Sequence, residues 1–113
     1  MIVFHKESKV FHLYNASFSY VFQIMRNGQL GQLYAGARIH DREDFSHLFE
    51  LCGRAMSICP YEGERMFSLE HLKQEYPGYG TGDFRQPAIT VLQENGSRIL
   101  ELVYAGHEIF AGK

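Results

Sequence analysis

The residues of this chain with chemical potential are scattered, but three groupings have spacing worth testing. His40, Asp44 and His47 would share one face if their segment were helical, and two imidazoles with a carboxylate are a ligand set for a divalent metal. Glu75 and Asp83 flank a Tyr- and Gly-rich turn; two carboxyl groups held about 5 to 5.5 Å apart serve a retaining glycosidase as nucleophile and acid/base. Cys52 and Cys59 supply thiols, with six residues between them. Each grouping also has a plainer explanation. "HDREDFSH" reads as a solvated charged stretch. Asp83 beside Arg85 makes a local ion pair or caps backbone amides, and Glu75 ends a helix. The cysteine spacing matches no Cys-x-x-Cys site, so both are expected as buried free thiols. His5, His12, His71 and His107 read as strand or surface histidines.

Signatures of covalent and phosphate chemistry are missing. The sequence holds no Gly-x-Ser-x-Gly, no Ser-x-x-Lys, no Walker motif and no Gly-x-Gly-x-x-Gly. "GYGTGDF" has closely spaced glycines, but no Lys-Ser/Thr follows and no suitable helix opens there. No catalytic residue, metal or cofactor is expected in these residues.

The elements that must position any site are mainly β. "FSYVFQIM", Phe18 to Met25, alternates with period two. Asn27-Gly28 then signals a tight type I′ hairpin, and the return strand runs from Leu30 to Ile39 with Gly31 and Gly36 as bulges or close backbone contacts. Upstream, "IVFHK" and "KVFHLYN" are two more strands, turning at Glu7-Ser8 and at Asn15-Ala16. A four-stranded meander over Ile2 to Ile39 is predicted. The same logic predicts a second set: Ala88 to Glu94, an Asn95-Gly96 turn, Arg98 to Tyr104, an Ala105-Gly106 turn, and a strand from His107. Between the sets, Phe45, Leu48 and Phe49 suggest a short helix or a pinned loop. "SLEHLKQEYP" predicts a helix capped by Ser68, striped by Leu69, Leu72 and Tyr76, and stopped by Pro77-Gly78.

Composition sets the outer bounds. The chain has 113 residues, a formal net charge of −2, 45% apolar and 21% charged residues, which is ordinary for one globular domain or a piece of a larger one. Nine Phe and seven Tyr without Trp favour pleated, half-buried surfaces. No two Lys or Arg are adjacent, so there is no electrostatic footprint for nucleic acid or an anionic membrane. No apolar stretch approaches the roughly 20 residues of a membrane span, and "MIVFHKESKVFHLYN" lacks the regions of a signal peptide. A cytoplasmic setting is expected.

The densest local signal is "QEYPGYGTGDFRQPA", Gln74 to Ala88, with two prolines, three glycines and three aromatic residues. Preceded by "MFSLEHLK" and followed by "QENGSRI", it resembles the amino-terminal region of the family 36 glycoside hydrolases, the larger bacterial α-galactosidases. "FHLYNASFSYVFQIMRNGQLGQLYAG" and "YAGHEIFAGK" extend the resemblance from about Phe11 to Lys113. It implies retaining, exo-acting enzymes that release terminal α-galactose from sugars such as melibiose and raffinose. It also implies three parts: an amino-terminal β-supersandwich, a central (β/α)8 barrel and a carboxy-terminal β-sandwich, commonly in tetramers. The catalytic aspartates of such enzymes lie on the barrel, one in a Lys-Trp-Asp motif that is absent here.

Residues 1–113 are therefore expected as an incomplete antiparallel β-supersandwich with one or two short helices, the non-catalytic first part of an α-galactosidase. Some relatives place a sugar-binding acid before "RAMS", reaching a neighbouring subunit's active-site mouth. Gly53 stands at that position here, leaving Arg54 or Glu50 as substitutes. Tyr76, Tyr79, Asp83, Phe84 and Arg85 are expected as a structural clasp or subunit interface, with Tyr79 and Phe84 plugging the gap between sheet layers. The competing reading is a free-standing carbohydrate-binding module that stacks sugars on Tyr61, Tyr76, Tyr79 and Phe84.

Overall fold

Period-two alternation at the start of the chain folds as the sequence predicts. The computed structural model describes residues 1–53 and 58–112. Strands β1 (Ile2–His5), β2 (Val10–Tyr14), β3 (Phe18–Ile24) and β4 (Leu30–Ala37) form one antiparallel sheet in the order β1-β2-β3-β4. Asn15 makes the β2–β3 turn by accepting the Ser17 and Phe18 amides on its side-chain oxygen, at 2.9 and 2.8 Å.

The β3–β4 connection differs from the predicted type I′ turn. Gly28 has φ of 84°, but Asn27 is not left-handed, and type I′ needs both. Met25 N–H donates to the Gln29 carbonyl at 2.7 Å and Gly28 N–H to the Met25 carbonyl at 2.9 Å, a three-residue connection closed by a left-handed glycine. The register shifts between Val21 and Phe22, which pair with Tyr34 and Gln32 and leave Leu33 as the extra residue. The bulge is thus at Leu33; Gly31 and Gly36 are close contacts. A Cβ on Gly31 would stand 2.7 Å from the Met25 sulfur, and one on Gly36 2.8 Å from the Tyr34 hydroxyl.

The two faces of the sheet are covered by different parts of the chain. Val10, Val21 and Leu33 pack with Phe45 on one face. Met25, Phe67, Leu69 and Leu72 form an adjoining cluster. On the opposite face Phe4, Phe11 and Phe22 are cross-strand partners, so their rings stack along the sheet at 4.4 and 4.7 Å between centroids. His107 sets its edge against both Phe4 and Phe11.

The middle is less helical than predicted. Residues Ser46–Leu48 make one 3₁₀ turn. The expected helix from Ser68 is a single turn, in which the His71 and Leu72 amides donate to the Ser68 carbonyl, while Ser68 Oγ donates to the Ile58 carbonyl. After Leu72 the chain straightens and pairs with the outer edge of β4, through Gln32 N–H to the Lys73 carbonyl and Glu75 N–H to the Leu30 carbonyl. One turn already buries Leu69 and Leu72, and sheet bonding replaces the helical bonds that a short isolated helix would hold poorly.

The second strand set is also corrected. No strand forms among the described residues from 88 to 112. The Asn95-Gly96 turn is present, but Leu100 N–H donates to the Tyr79 carbonyl and Tyr104 N–H to the Gly28 carbonyl. These amides bond to loops instead of to a strand partner. The mainly β, antiparallel class holds, and it rests on the first 37 residues. Neither cysteine is in a disulfide among the described residues, and both are half-buried where buried thiols are predicted. No helix of the described residues is long and apolar enough to cross a membrane.

Candidate functional site

Three polar constellations stand out, and the first lies in the aromatic loop. Asp83 is 1% exposed, yet charged, so both of its oxygens must be partnered. Arg85 donates to Oδ1 through its backbone N–H and Nε, at 3.1 and 2.8 Å, and to Oδ2 through Nη2 at 2.8 Å. Gln74 Nε2 supplies a further donor at 2.9 Å. The same Arg85 Nη2 donates to the Leu69 and Leu72 carbonyls at 2.8 and 2.6 Å, acceptors that Lys73 and Tyr76 amides would have used had the turn continued as an α-helix. Burial pushes the Asp83 carboxyl up, but the bonds from Arg85 outweigh it and hold it below its usual value. The Asp83 bond in turn raises Arg85. A saturated, inaccessible carboxylate has no free lone pair for proton transfer.

Glu75 is committed at one oxygen, Oε2, while its Oε1 is buried without a hydrogen-bond partner among the described residues. Oε2 accepts the Tyr20 hydroxyl, and burial together with that bond raises the Tyr20 pKa. Gly78 allows the loop to pass closely over the following segment, since a Cβ there would strike the Leu100 carbonyl oxygen.

A second constellation has the order of a hydrolase triad. His12 Nδ1 lies 2.6 Å from Asp41 Oδ1, and His12 Nε2 lies 3.0 Å from Ser19 Oγ. Asp41 only accepts, so Nδ1 carries the proton and Nε2 accepts from the Ser19 hydroxyl. Ser19 Oγ also receives the Ile39 amide at 3.1 Å. Both His12 and Ser19 are 0% exposed, which leaves no approach for a substrate. The network pins the chain after β4 onto the sheet. His5 extends it, with Nε2 3.1 Å from Asp41 and Nδ1 3.0 Å from Glu43; two carboxylate acceptors require both nitrogens to donate. Burial disfavours the charged His5 ring, but the Asp41 and Glu43 bonds prevail and raise its pKa. Asp41 is correspondingly lowered against its own burial by bonds from His12 and His5. Spacing in the sequence does not announce this cluster. The signal is in the register: His12 pairs with Val21, which puts Ser19 diagonally opposite on the same face.

The third constellation is an open cleft of about 410 Å³ beside β4, whose lining includes Arg38, His40, Arg42, His47, Phe45 and Leu48. It brings together two of the three residues considered as metal ligands. Asp44 is separated from it, with both carboxylate oxygens held by Ser46 at 2.7 and 2.8 Å, bonds that lower its pKa. Among the described residues no group of three His, Cys, Asp or Glu is placed to hold a metal.

The profile of the Glycosyl hydrolase family 36 N-terminal domain matches residues 28–113. The chain belongs to the family 36 glycoside hydrolases. Alpha-galactosidase AgaA of Geobacillus stearothermophilus is 41% identical over 112 residues, covering 99% of this chain and 15% of that relative. The solved alpha-galactosidase from Lactobacillus brevis superposes with a TM-score of 0.86 at 42% identity, over 93% of this chain and 14% of that one. A variant of AgaA in complex with raffinose matches with a TM-score of 0.77 at 43% identity, over 88% of this chain and 14% of that one. The family 36 chain therefore spans about 15% of the length of the curated relative quoted.

Within this family 36 domain the expected sugar contacts are placed only in part. Gly53 is exposed, and a Cβ there would meet the Met66 sulfur at 2.7 Å. Arg54 lies outside the described residues. Glu50 and Cys52 line a cleft of about 370 Å³ with Glu70, His71 and Arg85. Tyr76, Tyr79 and Phe84 are 54, 43 and 63% exposed. Tyr79 and Phe84 do not plug a gap between layers, because among the described residues no second sheet forms; Leu72, Phe67 and Leu69 fill the core instead.

Proposed function

We propose that these residues form the non-catalytic amino-terminal part of an α-galactosidase that hydrolyses terminal α-D-galactose residues of melibiose- and raffinose-type sugars with retention. The observation that carries this reading is the match of the chain to the N-terminal domain of a family whose relatives are alpha-galactosidases. The complex of a relative with raffinose supports the substrate class. The chemistry within the chain agrees: retention needs two accessible carboxyl groups about 5 to 5.5 Å apart, whereas Asp83 is buried and bonded by Gln74 and Arg85, and Glu75 accepts the Tyr20 hydroxyl on one oxygen and has the other buried.

In this reading the domain gives scaffold and subunit contacts in a cytoplasmic homo-oligomer, a tetramer, and the loop through Gly53 and Arg54 rims a neighbouring subunit's sugar site. The exposed Tyr76, Tyr79 and Phe84 belong to contact surface of the assembled enzyme, with Asp83 and Arg85 as the clasp that holds them. The test is hydrolysis of a chromogenic α-galactoside by the purified 113-residue chain. No turnover is expected; turnover that survives purification and is lost in Asp83→Asn would overturn the assignment. In the assembled enzyme, Tyr79→Ala with Phe84→Ala should weaken subunit association, and an unchanged sedimentation profile would count against the contact role.

A further inference from the structure

We infer that the cleft beside β4 is a binding site for a small organic oxyanion, a phosphate ester or carboxylate carried on a ring or short apolar body. Its lining holds Arg38, His40, Arg42 and His47 and, among the described residues, no acidic side chain. The acids interleaved with these basic residues in "HDREDFSH" make their hydrogen bonds elsewhere. Asp41 is bound by His5 and His12, Glu43 by His5, and Asp44 by Ser46.

Among the described residues Arg42 and His40 are thus left without an internal carboxylate partner, and only His47 has one, Asp44, near enough to act on it. Neither Arg42 nor His40 makes a hydrogen bond or ion pair among the described residues. Arg38 stacks over the Tyr14 ring at 3.7 Å, and its Nη1 is buried without an acceptor. Leaving a guanidinium nitrogen dry and unpaired is costly, and the planar donor fork of arginine matches the oxygens of a phosphate or carboxylate. Phe45, buried, and Leu48, half-buried, supply an apolar floor. Two arginines and two imidazole donors over an apolar floor in an open cleft suit an anionic head with a non-polar body. A neutral sugar would leave the unpaired charge unanswered.

The test is titration of the 113-residue chain with phenyl phosphate, followed by calorimetry and by the NMR signals of the Arg42 side chain and the His40 and His47 rings. Saturable binding is expected at those residues, weakened by added salt. Arg42→Gln should weaken it roughly tenfold, the value of one charge-assisted hydrogen bond. Arg42 is exposed and unpaired, so this change leaves the fold intact, as a far-ultraviolet spectrum and an unfolding midpoint would verify. Arg98→Gln, in a different cleft, should leave binding unchanged. The proposal is overturned by absence of saturation, by equal affinity in Arg42→Gln, or by benzyl alcohol binding as tightly as phenyl phosphate.

Discussion

The chain contains two Asn-Gly turns with the same hydrogen bonds and different surroundings. At Asn27-Gly28, Met25 N–H donates to the Gln29 carbonyl and Gly28 N–H to the Met25 carbonyl; at Asn95-Gly96, Gln93 N–H donates to the Ser97 carbonyl and Gly96 N–H to the Gln93 carbonyl. The two glycines have φ of 84° and 81°. Yet the first turn joins two strands in a continuous antiparallel ladder, while the second joins segments in which no strand forms. Turn chemistry is therefore local and strand formation is not. A hairpin without a buried face or a neighbouring strand is marginal in water, and Ile89, Leu92, Ile99 and Val103 are 41, 67, 55 and 55% exposed, whereas Val21 is fully buried between β2 and β4.

The comparison breaks most visibly at the flanking side chains. Val21→Asp puts an unpaired charge into the core and should cost more than about 4 kcal/mol, enough to unfold the domain. Leu92→Asp should change the unfolding free energy by less than about 0.5 kcal/mol. If chemical denaturation gives similar losses for both, the second hairpin is buried and the contrast is wrong.

The Asp83–Arg85 clasp tests what holds the region between the turns. Arg85→Met leaves a buried carboxylate with only the backbone N–H of residue 85 and Gln74, and strands the Leu72 carbonyl, while Leu69 keeps only the long bond from Gln74 Nε2. Since Arg85 is itself half in solvent, a loss of about 2 kcal/mol is expected in urea melts.

Acid and alkali should then separate the clasp from the sheet. The folded pKa of Asp83 is depressed, so its contribution is full above the usual carboxylate value and is lost as pH falls through the depressed one; Asp83→Asn should flatten the acid limb of a melting-temperature profile. The folded pKa of His5 is raised above 6.5. Its contribution is full below that value and disappears as pH rises through the folded one, so His5→Gln should flatten the profile on the neutral-to-alkaline side. A profile for either variant parallel to the parent's would exclude the corresponding link.

The smallest effect is the sharpest comparison of the turns themselves. Gly28→Ala should lower global stability by about 1 kcal/mol, because the left-handed conformation is locked by the paired strands. Gly96→Ala should change the unfolding free energy by less than about 0.3 kcal/mol, its strain relaxing into unpaired flanks. Equal losses would show that the second turn is as firmly held as the first.

Legibility from sequence followed locality and burial. The four-stranded meander was readable because period-two alternation and turn residues agree from Ile2 to Ile39. The helix predicted from Ser68 failed where a tertiary partner intervened: β4 takes Lys73 and Glu75 into its edge, and Arg85 takes the helix carbonyls. Strand propensity in "AITVLQE" and "RILELVY" is as strong as in β3, but propensity without a covering face builds no sheet. The ion pair of Asp83 with Arg85 is two residues long and so visible in the letters. The Ser19–His12–Asp41 network spans three separate elements, and only strand register brings it together.

By itself the sequence determined the places of the two Asn-Gly turns, the β class, the family and the absence of a familiar nucleophile motif, since each depends on residues near one another along the chain. Tertiary structure alone decided which face of β3 is core, and that Tyr79 and Phe84 stand in solvent. It also turned Asp41 and Glu43 of "HDREDFSH" toward the sheet and His40, Arg42 and His47 toward an open cleft. The reason is physical. Burial and charge pairing are settled by which distant segments meet, and no spacing rule carries that information.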